Sequence, residues 1–493
     1  MKSAPRKYKR VLQLELNEIS RPLIQSMIDG GQLPTFKALT KNWHLYRTTS
    51  ETEYSNIEPW IQWVTAHTGK SFDAHGVFRL GDGTKLSHPQ VWEILSKNNL
   101  ESLILASMNT HRGATKGGVF FPDPWSKAEE VHPESLRGLF NFVSRRVQGH
   151  ATSALSFSDI LDGLRSIAGL AASPLTLARI ARQVVRQKLR PNQAWRMAGF
   201  FDLLLADILN SLLKDPRYSF CTLFVNSIAH YQHHFWRNHA PHGFSDQVKA
   251  PDCAPTDDPI RWGYRNFDRM LAKILKSVNL DETLVLIASG LTQIPFQDHD
   301  GEGGWNYYRL RKHDTFARRV LGLPRDLVFP MMSRDWQIGP FDEPTIQRLE
   351  TVLDHVRVGD ERVFATSRAA DGFLFMETAI TRHVDSQEKV LSDGLAVGTF
   401  HEFFERVAVK SGHHSGVGYL WTSGSVPELD GLNTIPLAFL PDIALSALGI
   451  EARMSDGPRP NPNVQATEDT VNTLKNDRPS VRVPARDNDQ PSL

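Results

Sequence analysis

Short apolar runs alternate with stretches of helical periodicity along most of the chain. Residues 11–16 (VLQLEL) are apolar except at Gln13 and Glu15 and lie between a basic start and a polar turn, which predicts a first strand. Helical spacing predicts a helix over 22–28, closed by Gly30 and Gly31, and another over 91–97. Asn98 and Asn99 lead on to a strand over 102–107. Residues 221–225 and 283–289 (TLVLIAS) are nearly unbroken apolar runs, the pattern of parallel strands covered on both faces. An amphipathic helix over 262–277 separates them. Strands and helices in this rhythm predict an α/β fold around a mostly parallel sheet flanked by helices.

Two regions break the rhythm. Residues 135–215 show helical spacing at 160–170, 178–189 and 200–213 with little strand signal, predicting a helical insert. Residues 296–381 are irregular, with a helix over 345–355 and a hairpin-like pair at 362–366 and 372–377, predicting a small α+β insert. The expected division is therefore a basic tail (1–10), core segments 11–134, 216–295 and 382–452, and the two inserts between them. Residues 453–493, rich in Pro, Asn, Asp and Arg without periodicity, are expected to be a disordered tail. A strand over 416–422 and a helix over 441–448 close the core.

Composition then narrows the function. A chain of 493 residues, 40% apolar and 23% charged, suits a globular protein with more than one core. Its 56 Lys+Arg and 55 Asp+Glu leave a net charge of +1, so no global field exists to hold nucleic acid. Two cysteines, Cys221 and Cys253, make neither a disulfide framework nor a metal-type spacing. The first residues, MKSAPRKYKR, run into VLQLEL without the apolar stretch of a signal peptide. Ser173, Pro174 and Arg179 interrupt residues 167–181, so no transmembrane segment is expected and the expected location is the cytoplasm. Arg179, Arg182, Arg186, Lys188 and Arg190 give the helical insert a basic face for peripheral contact with an anionic membrane, or simply a solvated face.

In an open α/β sheet ligands gather at the carboxyl ends of the strands. The polar residues there are Glu15, Asn17 and Glu18, then Asn226 and His230, then 289–293, and finally His413 and His414. Within NSIAHYQHHFW, helical spacing puts Asn226, His230 and His234 on one face, and three histidines lie within five residues. Such a group either binds a transition metal through imidazole nitrogens or packs with Phe235 and Trp236. Glu58 precedes Pro59, which is a favoured start for a helix and a favoured place for a carboxylate. Glu15, inside an apolar strand, is either a site carboxylate or an edge position facing solvent. GDGTK (81–85) lacks phosphate-loop spacing and reads as a hairpin turn.

Four stretches carry a resemblance. They are VLQLELNEISRPLIQSMIDGGQLPTFKAL, WVTAHTGKSFDAHGVF, VNSIAHYQHHFW and IPLAFLPDIALSALGI. Together they resemble the alkaline phosphatase superfamily, in its type I phosphodiesterase/nucleotide pyrophosphatase branch. That resemblance implies an alkaline-phosphatase-like fold and a hydrolase of phosphate or sulfate esters or phosphodiesters. It also implies two divalent metal ions, zinc or manganese, that clamp the phosphoryl group while a Ser or Thr attacks it.

Carried over residue by residue, the ligand set is degenerate. The first Asp of the family falls on Asn17, and its Asp-x-x-x-His pair on Asn226 and His230. Its adjacent Asp-His pair falls on Gly290 and Leu291, its last His on His414, and the nucleophile on Pro59. Each Asp→Asn change removes a charge that would offset a dication. The implied metal contacts are thus Asn17, Asn226, His230 and His414, with Glu58 and His234 as catalytic candidates. Three readings stand open. One is a hydrolase with a rebuilt metal site, in which Glu15, Glu18 and Glu58 replace the lost carboxylates. Another is a metal-free anion- or nucleotide-binding module that holds a small phosphorylated ligand without turnover. The last is a transferase or partner protein in a polysaccharide or lipid pathway.

Overall fold

The computed structural model describes residues 7–51, 53, 56–125, 130–148, 173–245, 253–331, 334–369 and 372–457. The strands that frame the site are, in chain order, β1 (Arg10–Leu16), β2 (His44–Thr49), β3 (Glu101–Leu105), β4 (Val119–Phe121), β5 (Tyr218–Val225) and β6 (Thr283–Ser289). The short β7 (Thr292–Pro295) and β8 (Gly412–Ser415) follow, then β9 (Val417–Thr422) and β10 (Thr434–Pro436). All but β7 and β8 join one eight-stranded sheet in the order β10-β2-β9-β6-β1-β5-β3-β4. Only β9 runs against its neighbours, pairing antiparallel with β2 and β6. Every residue of β5 and β6 is buried, as unbroken apolar runs require in a sheet with helices on both faces.

Eight helices matter below: α1 (Arg21–Asp29), α2 (Pro59–Thr68), α3 (Val91–Lys97), α4 (Pro174–Leu189), α5 (Met197–Leu212), α6 (Ser227–His239), α7 (Pro259–Lys276) and α8 (Leu440–Ala447). The helical stretches expected at 178–189 and 200–213 lie in α4 and α5, while that at 160–170 falls outside the described residues. A second apolar cluster, around Trp336, Phe364 and Phe400, draws its residues from Tyr308 to Phe404. Within it Phe364–Arg368 pairs antiparallel with Leu374–Thr378, the hairpin-like pair displaced by one or two residues.

Two local expectations are corrected. GDGTK makes a 3₁₀ turn (Asp82–Lys85), because the Asn109 side chain accepts from the N–H groups of both Gly81 and Gly83 at 3.0 and 2.9 Å. The last described residues do not leave the core at 453. Met454 is buried, and its N–H and that of Ser455 donate to the Asp442 carboxylate in α8. From 458 onward the expected tail lies outside the described residues.

Asp202 of α5 fixes the start of α6 by accepting from Ser227 N–H at 3.1 Å. Burial pushes its carboxyl up to about 7, against the hydrogen bonds from Ser227 and Asn226. A carboxyl raised in the fold supports stability fully below its unfolded value of about 4, and that support is lost as pH rises through about 7. Asp202→Asn keeps an acceptor for Ser227 but cannot ionise. Urea titrations should therefore show the variant more stable than wild type at pH 8, by up to about 4 kcal/mol, and equal to it at pH 4. An equal gain at both pH values would contradict the buried-ionisation account.

Candidate functional site

The site is built where β1, β5 and β6 end. Directly after β1, Glu18 takes a left-handed backbone conformation with φ 59°, uncommon for a residue with a Cβ, and turns the chain toward α1. The turn is held from behind. Gln232 of α6 donates to the Glu18 carbonyl at 2.6 Å, and Tyr264 of α7 donates to Gln232 Oε1 at 2.9 Å while accepting from Ser20 N–H at 2.8 Å.

Around the buried Glu18 carboxylate three elements converge. His233 of α6 brings Nε2 to 3.1 Å of Glu18 Oε2, and His414 of β8 brings Nε2 to 3.4 Å of the same oxygen. Gln293 of β7 donates to it as well, in a ribbon where His414 and Gln293 are paired. One ligand atom from each of Glu18, His233 and His414 lies within 4.8 Å of the others. His414 Nδ1 stands 3.4 Å from Glu58 Oε2, at the start of α2. Burial opposes ionisation of Glu18, yet the charges and hydrogen bonds of His233 and His414 prevail and hold its carboxyl well below the usual carboxylate range. Burial acts to lower His414, and the opposing charges of Glu18 and Glu58 lift it to about 9.

The other expected residues occupy different positions. The Asn17 amide is engaged on both sides: its Oδ1 accepts from Trp63 Nε1 at 3.0 Å, and its Nδ2 donates to Glu18 Oε1 and to Asn226 Oδ1 at 2.9 and 2.8 Å. Trp63 can only donate, so it settles which way the amide faces. His230 is exposed on α6, its ring 4.8 Å from that of His234. Burial, with His230 and His233 nearby, holds His234 well below the ordinary imidazole range, so it stays neutral. Glu15 faces neither solvent nor this cluster. It is wholly buried in the central strand and meets His67 Nε2 of α2 at 2.9 Å. Gly290 and Leu291 bring no ligand atoms, as their side chains dictate.

Sequence reasoning missed the flanking charges that face the mouth of this cluster. Lys410, just before β8, lies over the rings of Phe296 and Trp305 at 4.5 and 5.3 Å. Burial and Arg334 push it down to about 8, against Glu58 and Asp298. Arg334 lies over the Tyr307 ring at 5.0 Å and pairs with Glu377. Asp335 is raised to about 7 by burial, with Glu58 adding to the effect and Arg334 and Arg79 opposing it. Glu58 itself is raised by burial and by Glu18, against His414, His233 and Lys410. An acidic and imidazole-rich floor thus meets a rim where cations and aromatic rings alternate.

No protein-family model matches the chain, and no curated protein is significantly similar to it. Solved structures do match. Its solved neighbours are alkaline phosphatase superfamily proteins. Phosphonoacetate hydrolase from Sinorhizobium meliloti 1021, in complex with phosphonoacetate, is 12% identical, with 90% of this chain and 97% of that chain covered and a TM-score of 0.42. Alkaline phosphatase PafA is 12% identical, covering 95% and 100%, with a TM-score of 0.44. Murine ectonucleotide pyrophosphatase / phosphodiesterase 5 is 10% identical, covering 91% and 97%, with a TM-score of 0.39. At such identities and scores nothing passes from them to this chain's chemistry, which has to come from its own residues.

Proposed function

We propose that this chain is a metal-dependent hydrolase of small phosphate or sulfate esters, built on a single divalent ion held by Glu18, His233 and His414. The observation that supports it most is the convergence of two imidazole nitrogens and one carboxylate oxygen at the strand ends. His233 Nε2 and His414 Nε2 both turn to Glu18 Oε2, at 3.1 and 3.4 Å, so the three donor atoms share one small buried space. Two histidines and a carboxylate suit zinc or manganese and leave coordination positions open for a ligand. When bound, the ion would polarise an ester oxygen and offset its developing charge.

The chain's own residues do the rest. Glu58, beside His414 Nδ1, would hold the proton on that nitrogen and keep the ring oriented when a metal takes Nε2. Among the described residues Glu58 and Pro59, and no hydroxyl, stand at the start of α2, which favours water as the attacking group. A carboxyl held above its ordinary range and partly open to solvent, as Glu58 is, suits exchange of that water's proton. Lys410 attracts the anionic substrate to the rim, with Arg334 nearby.

Protein purified without chelator or affinity-tag metal should carry one zinc or manganese per chain by plasma mass spectrometry. It should also cleave at least one of p-nitrophenyl phosphate, bis(p-nitrophenyl) phosphate and p-nitrophenyl sulfate, lose that turnover to a chelator and regain it with metal. A chain that takes up no metal on titration overturns the reading. A chain that binds metal and these anions but cleaves none is a binding module instead.

A further inference from the structure

Helix α4 leaves much of its apolar surface outward. Its buried positions are polar, Thr176 and Gln183, and Gln183 donates to the Gln193 carbonyl at 2.7 Å. Among the described residues, Leu177 and Ile180 are the side chains of this helix that pack, partly buried, against the core. Three other large apolar side chains face outward: Leu175 is 59% exposed, Val185 58% and Leu189 77%. With Ala178, also exposed, these fall on one line at helical spacing. Arg182 interrupts that line, Arg179 and Arg186 run along one side of it and Lys188 lies on the other, with Arg190 at the end. No acidic residue occurs from 174 to 190.

We infer that α4 is a docking surface for an anionic membrane, lying in the interface with Leu175, Val185 and Leu189 immersed and its arginines at the headgroups. Solvent alone explains the basic residues but not the apolar line, because burying these side chains against the core while exposing Thr176 and Gln183 would be the stable arrangement for a soluble helix. The absence of any carboxylate across the helix makes the face complementary to anionic lipid. Sixteen residues with five basic side chains on or beside them lie on a bilayer and do not cross it, and no described helix is long and apolar enough to cross. This inference rests on α4 alone and stands or falls apart from the metal centre.

Flotation of the full chain with vesicles tests it, comparing phosphatidylcholine alone with phosphatidylcholine containing phosphatidylglycerol. Wild type should float with the anionic vesicles only, and less as salt rises. Leu175→Ser/Val185→Ser/Leu189→Ser should weaken that partitioning at least about tenfold, since each lost methylene counts. Arg179→Gln/Arg182→Gln should weaken it by a similar factor and flatten the salt dependence. All five positions are exposed on the helix, so urea midpoints should match wild type. No flotation at low salt, or flotation that the serine variant leaves unchanged, overturns the inference. So does a wild type that self-associates through this face while ignoring vesicles.

Discussion

His233→Ala is expected to strip the metal from the purified chain and to cut ester turnover by at least the 10²–10³-fold that loss of one transition-state contact costs. His230→Ala, three residues earlier on the same helix, is expected to leave both unchanged. The contrast follows from how α6 sits. Ile228, Ala229, Tyr231, Gln232, Phe235 and Trp236 are buried and define the inward side of the helix. His233 lies at the margin of that side and reaches the Glu18 carboxylate, whereas His230 faces solvent. Metal content measured beside turnover separates a lost ligand from a lost general base: the first removes both, the second only turnover. If His230→Ala empties the metal and His233→Ala does not, the ligand set is wrong. Glu18→Gln should behave as His233→Ala does, because it removes the charge that offsets a dication while keeping nearly the same shape.

The same helix shows why the fold could be read from the sequence more fully than the site. Strands such as β6, and the long amphipathic α7, follow from apolar periodicity, which is a property of the segment itself. Candidate ligands depend on which face of α6 turns inward, and that is set by α7 and the ribbon of β7 and β8. The spacing of His230 and His234 put both on one face, and so it does, but that face is not the one beside Glu18. The buried stripe of Ile228, Tyr231 and Phe235 is the signal in the sequence for the side that turns inward. Glu18 was harder to place. Strand alternation ends at Leu16, and the left-handed turn that aims Glu18 has no signature in the sequence, since a non-glycine residue occupies it. The cationic rim was invisible for a different reason: Lys410 and Arg334 are 76 residues apart and meet Glu58 only through tertiary packing.

Beneath the sheet lies the other large effect, at Glu15. Its carboxylate sits in the middle of the central sheet between β5 and β6, wholly buried, with His67 Nε2 and Gln13 Nε2 each at 2.9 Å from Oε1. His67 is stacked on Trp63 and tilted against Trp92, so no water path replaces it. His67→Ala therefore leaves a buried carboxyl with one partner fewer and opens a cavity beside two tryptophans. Breaking a buried pair in this way costs about 3–5 kcal/mol, visible as a lower urea midpoint at an unchanged slope. Glu15 Oε2 and His67 Nδ1 already lack partners, so the native pair is itself imperfectly satisfied. Replacing both residues together, as Glu15→Met/His67→Leu, should then recover most of the loss, because no buried polar atom of the pair remains to be satisfied. Both variants should keep their metal, since the hydrogen bonds of the pair run to each other and to Gln13 and to none of Glu18, His233 and His414. A His67→Ala protein that loses less than about 1 kcal/mol would mean that Glu15 is held by something other than this pair. A double variant no better than the single one would mean that the two side chains act on stability independently.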